Sequence, residues 1–245
     1  MIFRRKNAPL SPASAASPAA SDSASEPLEP VEPLAAEETL EPFAEDELQD
    51  EWLELDLSRD WREDGPFDIE EVDLDADEVN RVDLGALIVT PQPGLKIQLA
   101  VDAKAKTATT LIVAAAADAL LQLRVLAAPA SRGYTAEVRA TLEEEATAAG
   151  GTSTLAEGPF GTELRRIVKV AAPDGSTGSA PLRDWLVEGP RWLLHAQLGG
   201  RAALDVNAQG PAAELEEFFR NLVVRRGAEA IVPGNPVSLR PPGQP

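Results

Sequence analysis

The chain has one histidine, His195, in the stretch "VEGPRWLLHAQLGG", close to Arg191 and Trp192. Arg183, Asp184 and Glu188 lie just upstream. Histidine, arginine and carboxylate within a dozen residues are the types from which a polar ligand pocket or a general acid–base site is built. A nucleophilic triad further needs a hydroxyl or thiol within reach of the base. Ser176 and Ser179 fall in a turn, no G-x-S-x-G elbow is present, and there is no cysteine. Without cysteine, disulfides, thiolate chemistry and Cys-based zinc or iron–sulfur sites drop out. No cofactor and no metal are expected. Asp73, Asp75 and Asp77 keep the first EF-hand spacings but lack the loop glycine and distal glutamate.

The segment around His195 must be positioned by a strand. If "RWLLHAQLGG" is extended, Trp192, Leu194, Ala196 and Leu198 face one side, and Arg191, Leu193, His195 and Gln197 face the other. The first set reads as core. The second reads as the open face of a half-solvated antiparallel sheet, which makes His195 a surface residue. The functional alternative gathers Arg183, Arg191 and His195 into a ligand pocket with Asp184 or Glu188. The turns "EGPFG" and "EGPRW" could lend backbone amides to Arg165, Arg166, Arg183 and Arg191 as an anion pocket. Neither turn has the form of a phosphate-binding loop, and ordinary turn chemistry explains both.

Charge divides the chain. Residues 1–80 carry 24 acids and 5 bases, a net of −19, and residues 81–245 carry 17 of each, a net of zero. The excess negative charge argues against a phosphate backbone as partner. Residues 1–50, rich in Pro, Ala, Ser and Glu, are expected to be disordered. Residues 51–80 interleave acids with Trp52, Trp61 and Phe67. They read either as an arm packed on the domain or as an acidic–aromatic motif through which Trp52, Trp61 and Phe67 bind a partner protein. No secretory signal and no apolar run of membrane-spanning length is present, so no membrane attachment is expected.

Residues 81–232 read as one α+β domain. Apolar alternation marks strands at "DLGALIVTP", "GLKIQLAVD", "ATTLIVAAA" and "ALLQLRVLAAP", where Leu121, Leu123 and Val125 share a face. "GYTAEVRATLEEEATAAGG" has Val138, Leu142 and Ala146 at helical spacing, with Thr135 as the expected N-cap. "TSTLAE", "TELRRIVKVAA", "SAPLRDWLVEG" and "RWLLHAQLGG" follow as hairpin-linked strands. Trp185 and Leu186, adjacent and both apolar, spoil the alternation of the third. "PAAELEEFFRNLVVRRG" reads as a second helix, with Pro211 in its first turn and Gly227 as its cap. Residues 233–245 are proline-rich and expected to be a loose tail. The order predicts a largely antiparallel sheet of about seven strands, covered on one face by two main helices. In element order this outline resembles the Mog1/PsbP-like fold.

The stretches "GPFDIEEVDLD", "EGPFGTELR", "EGPRWLLHAQLGGRAA" and "LEEFFRNLVVRRG" resemble, in the same order, a bacterial family named only as domain of unknown function 3710. The resemblance runs from about Gly65 to Pro241. It implies an actinobacterial, cytoplasmic protein and brings no catalytic residues with it. Function on sequence alone therefore rests between two classes. The first is a non-enzymatic interaction or regulatory module that binds another protein. The second is a small-molecule binder or enzyme with a polar pocket around Arg191 and His195. Single-stranded nucleic-acid binding on the sheet is a weaker third reading, because no aromatic pair sits on a basic face. Oligomeric state is not legible.

Overall fold

A computed structural model describes residues 45–101, 107–171 and 177–243. Helix α1 (Glu45–Leu57) leads into short strands β1 (Phe67–Asp68), β2 (Val82–Asp83) and β3 (Leu87–Val89). Then come β4 (Lys96–Val101), β5 (Ala108–Ala116), β6 (Ala119–Ala127), helix α2 (Tyr134–Ala148), β7 (Thr152–Gly158) and β8 (Gly161–Ala171). Strands β9 (Thr177–Gly189) and β10 (Trp192–Gly200), helix α3 (Pro211–Arg220) and β11 (Val223–Val224) close the order. Among the described residues a seven-stranded antiparallel sheet runs β4-β5-β6-β10-β9-β8-β7, and a small second sheet runs β1-β11-β3-β2. The protein is α+β, as its pattern predicted. The expected disordered tail at residues 1–44 lies outside the described residues, and residues 45–50 open α1.

The main sheet is covered on both faces, which corrects the expectation of one. Leu121, Leu123, Val125, Trp185, Trp192, Leu194, Ala196 and Leu198 join Leu215, Phe218 and Phe219 of α3 in the principal core. On the opposite face Leu186 and Leu193 pack with Tyr134, Val138 and Leu142 of α2. Two-sided cover explains the broken alternation in β9. Trp185 and Leu186 point to opposite faces and both are buried. A strand buried on both sides reads as a continuous apolar run rather than an alternation.

Three further boundaries differ from the pattern. Helix α2 is preceded by Gly133 at φ +99°, with no side-chain cap, and Thr135 lies inside the first turn. Glycine enters that left-handed conformation without steric cost, so the hydroxyl is not needed as a start signal. Helix α3 ends at Arg220, seven residues before Gly227. Asn221 donates from its side chain to the Glu217 carbonyl at 2.8 Å, and Val223–Val224 then pair with β1 and β3. The β-branched pair does better in a buried ladder than in another helical turn. The proline-rich end is pinned rather than loose. The amides of Gly234, Val237, Leu239 and Arg240 donate to the carbonyls of Ala127, Val125, Ala108 and Leu84, and Val237 and Leu239 are buried.

Candidate functional site

His195 is not a surface residue. It is 6% exposed, because α2 covers the face on which surface residues were expected. Its Nε2 lies 2.8 Å from Asp184 Oδ1. Strand register explains the meeting. Asp184 on β9 stands directly opposite Gln197 on β10, and His195, two residues earlier, is its diagonal neighbour. From β8, Arg166 grips the same carboxylate in a fork, Nε to Oδ2 at 2.7 Å and Nη2 to Oδ1 at 2.8 Å. Gln197 Nε2 adds a bond to Oδ1 at 3.2 Å. Asp184 is 0% exposed. Burial alone would raise its pKa; the bonds from His195 and Arg166 outweigh that and hold it below the ordinary value.

A second ionic cluster occupies the other face of the same strands. Glu163 on β8 accepts Arg183 Nη2 at 2.8 Å and the indole N–H of Trp185 at 3.0 Å through Oε2, while Arg165 Nε reaches Oε1 at 2.6 Å. Arg183 also donates to the Asp205 carbonyl at 2.9 Å. Successive residues of an extended strand point opposite ways, so Arg183 and Asp184 belong to different clusters. Arg191 joins neither. It sits exposed in the β9–β10 turn at φ +60°, and its carbonyl accepts the amide of Ala128 at 3.0 Å and Arg226 Nε at 3.1 Å. The structure thus brings Asp184 and His195 together but places Arg183 behind the sheet and Arg191 at its tip. Both clusters are closed around their own charges, and no hydroxyl bonds to the His195 ring among the described residues.

The acidic–aromatic arm packs on its own domain. Asp56 accepts the Thr162 amide at 2.7 Å and Arg139 Nη2 at 2.7 Å, which ties α1 to β8 and α2 together. The Trp52 carbonyl takes the Thr162 hydroxyl at 3.2 Å. Trp61 donates to the Leu55 carbonyl at 3.0 Å, and the Arg59 guanidinium lies 3.6 Å over its ring centre. Phe67 is 2% exposed in a satellite core with Val72, Ile88 and Val223. Next to it, the Asp68 carboxylate accepts the Trp192 indole N–H at 2.6 Å.

Where the arm meets the domain it leaves a cleft of about 250 Å³. One wall is the end of α1 with Arg59 and Trp61; the others are the loop 129–133 before α2 and the β9–β10 turn. Glu188 reaches across from that turn and accepts the Gly133 amide at 2.9 Å. Asp56 and Glu163 were not singled out from sequence, although the Glu and Arg residues of "TELRR" facing "LRDW" across a hairpin carry a signal of reciprocal charge. No cluster of three metal-binding side chains occurs among the described residues. Nor is any helix there long and apolar enough to cross a membrane.

A family model described as "Protein of unknown function (DUF3710)" matches residues 65–245. The chain belongs to that family. The match begins at Gly65, beyond α1 and the Arg59–Trp61 wall of the cleft. No curated protein matches the chain. Among solved structures, a Bacteroides thetaiotaomicron VPI-5482 crystal structure is 12% identical over 59% of this chain and 47% of that one, with a TM-score of 0.33. The chain thus spans about half of that protein's length. The solution structure of cyanobacterial PsbP (CyanoP) from Synechocystis sp. PCC 6803 is 10% identical over 60% of this chain and 92% of that one, with a TM-score of 0.35.

Proposed function

We propose that this chain is a cytoplasmic, non-enzymatic binding module that engages another protein through the cleft between its arm and its domain. One observation carries the reading. The arm folds in cis, through Asp56 bound to Arg139 and Thr162, and leaves an open, polar concavity at the seam. The His195 and Arg183 clusters support it from the other side, since Asp184 with Arg166, and Glu163 with Arg183, are buried and bonded to one another. Ordinary ligand pockets hold ~300–1,000 Å³. A cleft of about 250 Å³ suits one side chain or terminal group of a larger partner better than a whole cofactor.

Trp52, Trp61 and Phe67 take part in this reading as builders of the seam rather than as a free motif. The test is to capture partners from a bacterial lysate with full-length chain, with residues 1–44 deleted, and with Ser131→Trp, which fills the cleft. A partner retained by the deletion and lost with Ser131→Trp supports the reading. A partner set that Ser131→Trp leaves unchanged overturns it.

A further inference from the structure

We propose that the α2 end of the cleft is an oxyanion site, taking a carboxylate or phosphate group of whatever ligand enters. The inference rests on the cleft being the binding site and names the chemistry it recognises.

Thr135 carries the argument. It lines the cleft, is 8% exposed, and its hydroxyl makes no hydrogen bond among the described residues. Its oxygen is not sealed from solvent, so the hydroxyl can donate to an acceptor that enters the cleft. Thr135 sits in the first turn of a fifteen-residue helix whose N-cap residue, Gly133, has no side chain of its own to cap it. That turn presents backbone N–H groups and the positive end of the helix dipole to the same space. The molecule shows that a carboxylate is accepted there. Glu188, 55 residues away in sequence, reaches in to take the Gly133 amide.

Charge around the cleft is balanced in number but not in availability. Its lining holds Arg59, Arg62 and Arg132 against Asp56, Asp60 and Glu188. Asp56 is committed to Arg139, and Arg62 to Glu71 at 2.9 Å. Arg132 is exposed, Arg59 lies over Trp61, and neither pairs with a carboxylate among the described residues. Arg132, and Arg59 stacked on Trp61, thus flank the Thr135 hydroxyl and the start of α2. Guanidinium forks and backbone amides together suit a planar carboxylate or a phosphate.

The test is a titration of full-length, nitrogen-15-labelled chain with inorganic phosphate, and separately with acetate, at constant ionic strength against sodium chloride. Saturable shifts of the amides of Arg132 to Ala136 are expected. Thr135→Val should weaken binding by about tenfold, the loss of one hydrogen bond to a charged acceptor, and Thr135→Ser should restore it. Arg132→Gln should weaken it, and Glu188→Gln should tighten it by removing the competing charge. Saturation by phosphate alone assigns a phosphoryl ligand; saturation by acetate alone assigns a carboxylate. Linear shifts equal to those in chloride overturn the inference, as do saturable shifts that Thr135→Val and Arg132→Gln leave unchanged. If these shifts are flat while Ser131→Trp still loses a protein partner, the oxyanion site falls and the binding module stands. If they saturate and Ser131→Trp changes no partner, the module falls and the site stands.

Discussion

The Asp184 cluster and the cleft contain the same kinds of residue and do opposite things with them. Around Asp184, three neighbouring strands bring Arg166, His195 and Gln197 onto one fully buried carboxylate. At the cleft, segments distant in sequence meet at a seam, and among the described residues the Thr135 hydroxyl and the Arg132 guanidinium have no protein partner, while Arg59 stacks on Trp61. Adjacent strands in fixed register can saturate a charge. A seam between an arm and a domain cannot do so as completely, because its walls were not spaced by one hydrogen-bond ladder. Polar residues of the first kind hold a fold together; those of the second kind can hold something else.

Substitutions can break that comparison. The largest effect is expected for Asp184→Ala, which leaves the Arg166 guanidinium buried without its partner. A loss of about 3–5 kcal/mol is expected in urea unfolding. A loss under about 1 kcal/mol would mean that water replaces the carboxylate and that the cluster is open after all. Asp56→Ala should cost less, about 1.5–3 kcal/mol for bonds to a charged group, and the loss should be local. Limited proteolysis is then expected to clip the α1 region while the sheet stays protected. Global unfolding with no early arm cleavage would contradict the seam.

The acid limb of the stability curve sharpens the comparison further. Asp184 has a folded pKa below its ordinary value of 3.8. Its contribution is therefore present above about pH 3.8, and it is lost as the pH falls through the lower folded value. Asp184→Asn should flatten that limb of a pH–stability profile; an unchanged limb would show that other carboxylates govern it. The smallest effect on stability is expected at the cleft. Arg132→Gln should shift unfolding by no more than about 0.5 kcal/mol, as for a surface residue without a partner. A larger loss would mean that Arg132 is part of the fold and not free for a ligand.

Much of the sheet was legible in the sequence, and the reason is visible at particular residues. The single-face alternation of Leu121, Leu123 and Val125, and of Trp192, Leu194, Ala196 and Leu198, places all seven in the principal core. The helical spacing of Val138, Leu142 and Ala146 marks α2 for the same reason. His195 was misread because alternation tells which residues share a face, and not whether a helix from elsewhere covers that face. The end of α3 was misread because Leu222, Val223 and Val224 suit either a helix stripe or a strand. Only the ladder with Phe67 and Ile88 decides between them.

Local periodicity, turn residues and the segregation of charge thus determined the α+β class, the hairpin order and the acidic N-terminal third. The tertiary structure alone decided which charges meet. Arg183 and Asp184 are neighbours in sequence and lie on opposite faces of the sheet. Asp56 and Thr162 are 106 residues apart and share a hydrogen bond. Side-chain pairing across strands and seams depends on register and docking, and no stretch of chain carries that information by itself.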